Sequence, residues 1–414
     1  MNRMKNHVFA AAACLLLAAC SGSETKVAKL EVIPVGAAFD RQAELKASDC
    51  FKKIRYVALE TTDSCLVGEG AHASILKDWI VVVSGRSRCQ LFDKKTGRFI
   101  RTIGHVGEDP EGYSNAYGGW LNPHTDQLYF PGWNKKQVAY RADGSFDSVW
   151  TPAIVPGDFP MATAFDYFDA GIIAGYYSAS DSVPARLVLF RGDKIVREQF
   201  LPMDVRGEKA VTPDEIAAIS VWKDGGDGML VIKYKNEKSS LTPLGNSCFW
   251  HKGDEMFFHQ AYNDTLYRVS ADKGLQPVRM LDPGIYGWPY NERFEDKKDA
   301  IYPTAFMENE DVILFRFVTN VYNDKRKTYN ALYRKSDGTV KVCPFDDKIT
   351  DDMNGFLPLQ PGAISASGEF TTILPAEDVI SWFEENAAKT DIPAEVAALK
   401  RVGEEDNPVV AIME

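Results

Sequence analysis

Short apolar segments separated by polar turns run along most of the chain, a pattern typical of antiparallel strands. Trp79–Val83 is a continuous β-branched run, and Cys89–Asp93 and Phe99–Ile103 are two further short runs. Between the last two, Asp93–Gly97 (DKKTG) has the residues that a hairpin turn requires. We therefore predict a small antiparallel sheet, which can bury its faces only by packing on similar sheets.

The same order of strand, loop, strand, turn and strand recurs along the sequence. Leu91, Ala139 and Val188 fall at equivalent points, 48 and 49 residues apart, which is within the period of a propeller blade. Later units are predicted up to Phe370–Leu374, which has no obvious outer partner. The early segment Phe51–Glu60 is predicted to complete that last unit. The predicted fold is therefore all-β: a six-bladed β-propeller over residues 50–375, closed by an N-terminal strand.

Two segments depart from this pattern. Residues 204–246 interrupt the repeats as an insertion, with a helix predicted over Thr212–Ile219 and a hairpin around Met229–Tyr234. Residues 376–414 contain helix formers at helical spacing and predict a short C-terminal helical tail.

The first 19 residues, 1–19, have the features of a bacterial signal peptide. Basic residues precede Val8–Ala19, an apolar run too short to span a bilayer as a stable helix. The run ends in Leu17-Ala18-Ala19-Cys20, which resembles the bacterial lipobox. That resemblance implies that the Cys20 thiol is lipidated and becomes the mature N-terminus, with residues 20–49 as tether and N-terminal arm. The alternative is an ordinary secreted protein cut after Ala19.

The predicted location is the cell envelope, with the protein anchored by lipid at the outer membrane. Glu24 is the one acidic residue close behind the cysteine, and Lys26 stands beside it. Some surface-displayed lipoproteins have an acidic cluster at this place. Both the periplasmic and the surface-facing side of the membrane therefore stay open.

The charge balance limits the partners. The chain has 47 Lys and Arg residues against 58 Asp and Glu, a net charge of −11 over 414 residues. An acidic surface argues against nucleic acid as a partner.

Five cysteines follow Cys20, and the odd number leaves at least one unpaired. An oxidising envelope would permit a Cys50–Cys65 disulfide, which the spacing does not require. The spacing of cysteines and histidines does not match a zinc site, and no metal or cofactor is predicted.

The sequence contains none of the common catalytic motifs. It has no metalloprotease histidine pair, no nucleophile elbow and no phosphate-binding loop. Acidic residues such as Glu308, Glu310 and Asp311 are numerous, and some propellers are glycosidases, yet no working pair of carboxylates stands out. No catalytic residue is therefore predicted.

In a propeller, the loops that join the second and third strands of each blade emerge on one face. These loops are rich in aromatic and basic residues here. The candidate binding residues are Arg86, Arg88, Trp133, Lys135, Tyr177, Tyr262 and Tyr322. The aromatic side chains would stack on a planar or sugar ligand, and the basic ones would meet anionic groups. The alternative is that these loops are solvated turns whose aromatic residues cover the blade edges.

Several segments together resemble a known family, the six-bladed β-propeller lipoproteins of gut Bacteroidetes, which are related in style to NHL-repeat and TolB-type propellers. The resemblance rests on Phe51–Leu66 (FKKIRYVALETTDSCL), Cys89–Ile103, Gly107–Tyr113 (GEDPEGY), Asn263–Tyr267 (NDTLY) and Asn407–Val410 (NPVV). It covers nearly the whole mature chain. This sequence departs from the family pattern at residues 109–113 (DPEGY), where family members tend to have glycine-proline-glycine before Glu-Tyr. The resemblance implies the fold and the envelope location, and no established reaction.

Three classes of function agree with these features. The favoured one is a non-catalytic propeller that binds a protein, a peptide or a glycan, with the membrane as a second partner through the lipid anchor. The alternatives are a glycan-active hydrolase or lyase and a structural accessory subunit of an envelope complex. Loop aromatics without clustered acids favour the first, and a pair of carboxylates at the channel mouth would favour the second.

Overall fold

The computed structural model describes residues 30–155, 164–179, 183–201, 213–224, 227–244 and 248–414. The predicted signal peptide, the lipidation site Cys20 and the first part of the tether lie outside the described residues. Strands predominate over helices in the described ranges. The prediction of an all-β protein is therefore confirmed at the level of fold class.

Six sheets, each built on four antiparallel strands, are formed within these ranges, and sheet 4 gains a fifth, parallel strand. Sheet 1 contains His72–Leu76, Trp79–Ser84, Arg88–Asp93 and Phe99–Thr102; sheet 2 contains Trp120–Asn122, Gln127–Pro131, Gln137–Arg141 and Phe146–Trp150. Sheet 3 contains Ala164–Tyr167, Ile173–Tyr177, Arg186–Arg191 and Lys194–Phe200; sheet 4 contains Phe249–Lys252, Glu255–His259, Thr265–Ser270 and Gly274–Leu281. Sheet 5 contains Tyr302–Glu308, Val312–Thr319, Lys327–Arg334 and Thr339–Pro344; sheet 6 contains Ala363–Ile364, Phe370–Leu374, Val409–Met413 and Ile54–Ala58. This arrangement is consistent with a β-propeller.

Smaller elements lie between and around these sheets. A three-stranded sheet contains Ile216–Asp224, Asp227–Tyr234 and Ser239–Leu244, and a two-stranded one pairs Leu45–Lys46 with Ile349–Thr350. The α-helices are Val35–Phe39, Ala47–Cys50, Ala376–Glu385 and Ala394–Ala397. Short 3-10 turns occupy Pro213–Glu215, Gly284–Tyr286, Tyr290–Glu292, Phe345–Asp347 and Ala398–Arg401.

The repeat in the sequence corresponds to equivalent places in the sheets. Leu91, Ala139 and Val188 lie on the third strands of sheets 1, 2 and 3, and all three are fully buried. Gly97, in the predicted turn of sheet 1, has a φ of +73°, and a Cβ there would lie 2.0 Å from the carbonyl oxygen of Ala58. Only glycine fits at this turn, because it adopts positive φ freely and has no side chain to clash with sheet 6.

Sheet 6 combines the two ends of the chain in a way that differs from the prediction. Ile54–Ala58 does join the sheet of Phe370–Leu374, as expected, but Val409–Met413 lies between them and pairs with both. The C-terminal segment is therefore helical only in part, and the prediction of a helical tail up to residue 414 is wrong. Val409–Met413 is buried throughout, and a strand buried on both faces lacks the alternation that would distinguish it in sequence.

Asn407 links the segment after Ile54–Ala58 to the start of the C-terminal strand. Its amide group donates to the carbonyl oxygens of Glu60 and Cys65 at 2.6 and 2.9 Å. Its Oδ1 accepts from the backbone N–H of Val67 at 2.8 Å. One buried side chain thus satisfies three backbone groups of a loop that has no strand partner of its own.

The insertion contains a strand where a helix was predicted. After Pro213–Glu215, residues Ile216–Asp224 pair with Asp227–Tyr234 as a hairpin, so the helix prediction for Thr212–Ile219 is wrong, with Thr212 itself outside the described residues. Strand pairing has overridden the helical signal of Pro213 and two acidic residues. The prediction of a hairpin around Met229–Tyr234 is confirmed, because Asp227–Tyr234 pairs antiparallel with the strands before and after it.

The interface between sheets 4 and 5 holds a buried carboxylate. Glu308, 0% exposed, lies 3.0 Å from a guanidinium nitrogen of Arg279 and 2.7 Å from Lys335 Nζ, and it accepts from Trp250 Nε1 at 2.9 Å. Arg279 also pairs at 2.6 Å with Glu31, on the strand Glu31–Ile33 that adds in parallel to sheet 4. This group, the Glu308 cluster, joins the N-terminal arm to two neighbouring sheets.

The five cysteines in the described residues are free thiols. Cys65 contacts the carbonyl oxygen of Glu60 at 3.1 Å, and Cys50 contacts that of Lys46 at 3.5 Å. The disulfide that an oxidising envelope would permit between these two is therefore absent. Burial raises the pKa of the Cys89 thiol to about 12, which makes this thiol unreactive.

Candidate functional site

The first strands of all six sheets contribute to one cavity of about 410 Å³. One lining residue from each of sheets 1 to 6, in order, is His72, Trp120, Tyr167, Trp250, Phe306 and Ile364. Alternation along each strand directs every second side chain to the same side, so the six strands together present a mixed wall of aromatic, hydroxyl and imidazole groups. A volume of this size is in the range of small-molecule sites.

Stacked aromatic pairs form much of the wall. Trp120 lies parallel to Tyr129 with ring centroids 3.9 Å apart, and Tyr167 lies parallel to His251 at 3.8 Å. Trp250 and Phe306, from sheets 4 and 5, stack at 4.8 Å. These contacts hold the rings in place across and within sheets, so the cavity is largely pre-formed.

Two ring nitrogens of the wall have no hydrogen-bond partner among the described residues. They are Trp120 Nε1 and His251 Nδ1, both buried. The opposite nitrogen of the His251 ring, Nε2, lies 3.3 Å from a carboxylate oxygen of Asp166. A ligand in the cavity would satisfy an indole donor and an imidazole nitrogen that the protein itself leaves unsatisfied.

Arg316 brings a positive charge to the cavity. It lies on the second strand of sheet 5, only 5% of its surface is exposed, and it lines the cavity together with His72. Burial, and next the charge of Arg316, hold the pKa of His72 below its usual value. His72, which hydrogen-bonds to Tyr117 through Nε2, is therefore neutral at pH 7, and Arg316 is the cation of this wall.

The loop residues predicted from sequence lie elsewhere, and none of the seven lines the central cavity. Arg86, Arg88 and Lys135 are exposed. Trp133 is 48% exposed, and its Nε1 donates to the carbonyl oxygen of Gly107 at 2.8 Å. These four side chains remain accessible to a partner at the surface, and their role in binding stays a prediction.

The three tyrosines of the predicted set are engaged in packing. Tyr177 and Tyr322 are 4% and 3% exposed, and the Tyr322 hydroxyl donates to the carbonyl oxygen of Arg293 at 2.6 Å. Tyr262 packs edge-on against Trp288 with centroids 5.2 Å apart, in the same hydrophobic cluster as Tyr322. The structure thus brings Tyr262 and Tyr322 together as core residues, with little ring surface left for stacking on a ligand.

None of the residues that line the cavity is among the site residues predicted from sequence. His72 and His251 are 179 positions apart (251 − 72), and each stands alone in its strand. Only the convergence of six first strands places them around one space. The sequence signal that would have identified the cavity residues is the recurrence of polar or aromatic residues on the first strand of each repeat.

Within the described ranges, no three His, Cys, Asp or Glu side chains are grouped so that they could hold a metal ion. None of the helices in those ranges combines the length and apolar character needed to cross a membrane.

Comparison with known families finds one match. The model of the family described as "Domain of unknown function (DUF4934)" matches residues 30–414. No curated protein matches the chain.

The chain is also similar in fold to a solved structure. A protein of Bacteroides fragilis NCTC 9343, described as exported, aligns with a TM-score of 0.55 and 14% identity over 90% of this chain and 97% of its own. At this identity the likeness shows a shared fold alone.

Two further structures align less well. A member of the DUF4221 family from Bacteroides vulgatus ATCC 8482 has a TM-score of 0.38 at 9% identity, over 90% of this chain and 98% of its own. The Cps50 (Swd1) β-propeller domain of Myceliophteria thermophila has a TM-score of 0.34 at 11% identity, over 68% and 89%. Scores below 0.5 do not indicate a shared fold, and nothing about this chain follows from these two.

Proposed function

The chain belongs to the DUF4934 family, and for this member we propose a lipid-anchored envelope protein whose six-bladed β-propeller binds a small ligand in its central cavity. One observation carries the proposal: a cavity of about 410 Å³ is lined by the first strand of every one of the six sheets. It has rigid aromatic walls and unsatisfied polar atoms, which are the usual features of a ligand site.

The connectivity supports a closed ring of six blades. Each sheet is built on four antiparallel strands, and sheet 6 takes its strands from both ends of the chain. In such a ring the two ends of the chain are paired with each other in sheet 6. Unfolding of either end would expose an unpaired strand edge, so this pairing keeps the ring closed.

Binding is favoured over the hydrolase or lyase alternative. Retaining and inverting glycosidases act through two carboxylates that flank the scissile bond. Among the described residues that line the cavity, Asp166 is the one carboxylate, and it already contacts His251.

Blocking the cavity tests the proposed site. Gly362 lines the cavity, and a Cβ built on it meets no atom within 4 Å. Gly362→Trp should therefore fold normally and fill the space. We expect the wild-type full chain, dialysed against a small-molecule extract of bacterial envelopes, to retain compounds that G362W does not retain, as measured by mass spectrometry of the released fraction.

Gly171→Trp is the matched control, since Gly171 is also exposed and lies outside the cavity, and a Cβ added to it would meet a single atom, at 3.9 Å. It should retain the same compounds as the wild type. Equal retention by all three proteins would contradict a cavity site. Loss of retention in Trp133→Ala instead of G362W would favour the loop face. A change in the mass of the retained compounds would favour catalysis.

The envelope location is supported by the signal sequence and by the exported relative of similar fold. We expect a lipid on Cys20, so cells that express the wild type should incorporate labelled palmitate into the protein and keep it in the membrane fraction. Cys20→Ser should abolish the label and release the protein from membranes. Labelling of C20S at the wild-type level would refute the anchor.

A further inference from the structure

We propose that the strand Ile216–Asp224 is an interface through which two copies of this chain associate, edge to edge and antiparallel. This strand forms the insertion sheet together with its neighbours Asp227–Tyr234 and Ser239–Leu244. Such an interface would form whether or not the cavity binds a ligand. Three features of the strand support it: an open edge, the absence of charge along that edge, and a pattern of side chains that complements itself.

The strand Ile216–Asp224 stands at the edge of the insertion sheet. Among the described residues, Asp227–Tyr234 is the one strand that pairs with it. Its other edge therefore presents a row of backbone N–H and C=O groups to which a further strand can bind. Ile219 and Val221 point to the same face of the sheet, and each is 59% exposed. Both the edge and the adjoining apolar face are thus open to a partner.

Other sheet edges of the molecule are protected against such pairing. The opposite edge strand of the insertion sheet contains Pro243, which cannot donate a backbone hydrogen bond to a new strand. By contrast, residues 216–222 (IAAISVW) contain no charged residue, glycine or proline, so this edge lacks both kinds of protection. The outermost strand of each of the six large sheets contains a charged residue, which discourages pairing; in sheets 1 to 6 these are Arg101, Asp147, Arg197, Glu31, Lys341 and Arg55.

The strand is complementary to itself about Ser220, the central one of its nine residues. Antiparallel pairing with a copy about this residue sets Ile219 opposite Val221 of the copy, and Val221 opposite Ile219. Four β-branched side chains then lie together on the exposed face. On the other face Trp222 meets the small Ala218 of the copy, so a large side chain lies opposite a small one. The pairing of Ala218–Trp222 with the neighbouring strand is regular, so the alternation of faces holds throughout this stretch.

The same pairing brings opposite charges together at the ends of the strand. The end that carries Lys223 comes beside Asp214 and Glu215 of the copy, so a lysine meets acidic residues. Each copy uses the same edge, and the contact is therefore closed by a two-fold axis, with no edge left for a third copy. Two insertion sheets become one six-stranded sheet, and the product is a dimer.

Ser220→Cys tests the register of this pairing. In the proposed dimer the two Cβ atoms at position 220 lie about 4.5 to 5.5 Å apart, close to their separation in a disulfide. We expect mild oxidation to convert most of the purified full chain of S220C into a covalent dimer on a non-reducing gel. Lys223→Cys is the matched control in the same strand. Position 223 lies six residues from its copy along the paired strands, about 20 Å, so K223C should stay monomeric.

Ile219→Lys tests the association without a cross-link. A contact limited to one pair of strands belongs to the small, transient interfaces, and we expect a Kd of about 1 to 100 µM for the wild type by analytical ultracentrifugation. I219K should remain monomeric over this range. Val196→Lys removes an exposed β-branched residue, 46% exposed, from the outer strand of sheet 3, and it should associate as the wild type does.

The cross-linking comparison keeps the proposal testable even if I219K fails to fold. A wild type that stays monomeric over this range, together with no cross-link in S220C, would overturn it. Equal cross-linking of S220C and K223C would also overturn it, because the pairing would not be antiparallel about Ser220. Binding of a monomeric wild type to phosphatidylethanolamine vesicles, lost in I219K, would assign the exposed face to a lipid surface instead.

Discussion

Glu308→Gln is expected to lower the free energy of unfolding by about 3 to 5 kcal/mol, the cost of removing one partner from a buried ion pair. Glu308 is fully buried and is in contact with two cations, Arg279 and Lys335. The amide of glutamine keeps the size of the side chain and the acceptor for Trp250. It loses the charge that compensates the two cations, which then remain in a region of low dielectric.

The effect should extend beyond the local contact. Arg279 also pairs with Glu31, so the same cluster holds the N-terminal arm against sheet 4 and sheet 4 against sheet 5. A loosened cluster should therefore release the arm first. Limited proteolysis of E308Q should cut near Glu31–Ile33 at a protease concentration that leaves the wild type intact.

Glu310→Gln is the matched control for this measurement. Glu310 stands two positions away and pairs with Lys252 at 3.6 Å, but 81% of its side chain is exposed. An exposed ion pair contributes little, so E310Q should stay within about 0.5 kcal/mol of the wild type in denaturant unfolding followed by tryptophan fluorescence. A similarly small change in E308Q would show that the cluster does not stabilise the fold.

The wild type is also expected to lose stability as the pH falls from 7 to 4, and His259 should account for about 3 kcal/mol of that loss. Burial lowers the pKa of His259 from 6.5 to about 4. Its ring donates through Nε2 to the carbonyl oxygen of Asn263 at 2.9 Å and lies against Phe306. The folded protein therefore keeps this imidazole neutral where the unfolded chain would already bind a proton.

The sign follows from the direction of the shift. Because the pKa of His259 is lower in the folded state, its contribution is complete above the unfolded pKa of about 6.5 and is lost as the pH falls towards the folded pKa of about 4. His72 shifts in the same direction and should add to the loss. Denaturant unfolding at several pH values measures the sum of the contributions of His259 and His72.

His259→Gln isolates the contribution of one residue. Between pH 7 and 4 the variant should lose about 3 kcal/mol less than the wild type, whatever its stability at pH 7, because carboxylate effects are common to both. His105→Gln, at an exposed histidine, should follow the wild-type curve. Parallel curves for H259Q and the wild type would mean that His259 is not held neutral by burial.

The strand content and the repeat could be predicted from local pattern alone. Leu91, Ala139 and Val188 recur at a blade-like spacing and occupy equivalent buried places on third strands. The turn at Asp93–Gly97 could be predicted because the positive φ of its last residue, Gly97, is adopted easily only by particular residue types. Such features depend on neighbours close in sequence, and local propensity and periodicity report them directly.

Features that depend on distant partners could not be predicted in the same way. Val409–Met413 became a central strand because Phe370–Leu374 and Ile54–Ala58 pair with its two edges. Ile216–Asp224 became a strand because a hairpin partner follows it. Tyr177 and Tyr322, which were predicted to be binding residues of loops, are buried. The sequence alone does not distinguish an aromatic loop residue that faces solvent from one that covers a sheet edge.

The sequence by itself determined the class of structure, the repeating unit and the signal that predicts an envelope lipoprotein. The tertiary structure decided which strand completes sheet 6 and where a ligand could lie. The physical reason is that a cavity between sheets has no local signature: His72, Asp166 and Arg316 come from three separate repeats. They share one space only after every sheet has packed against its neighbours.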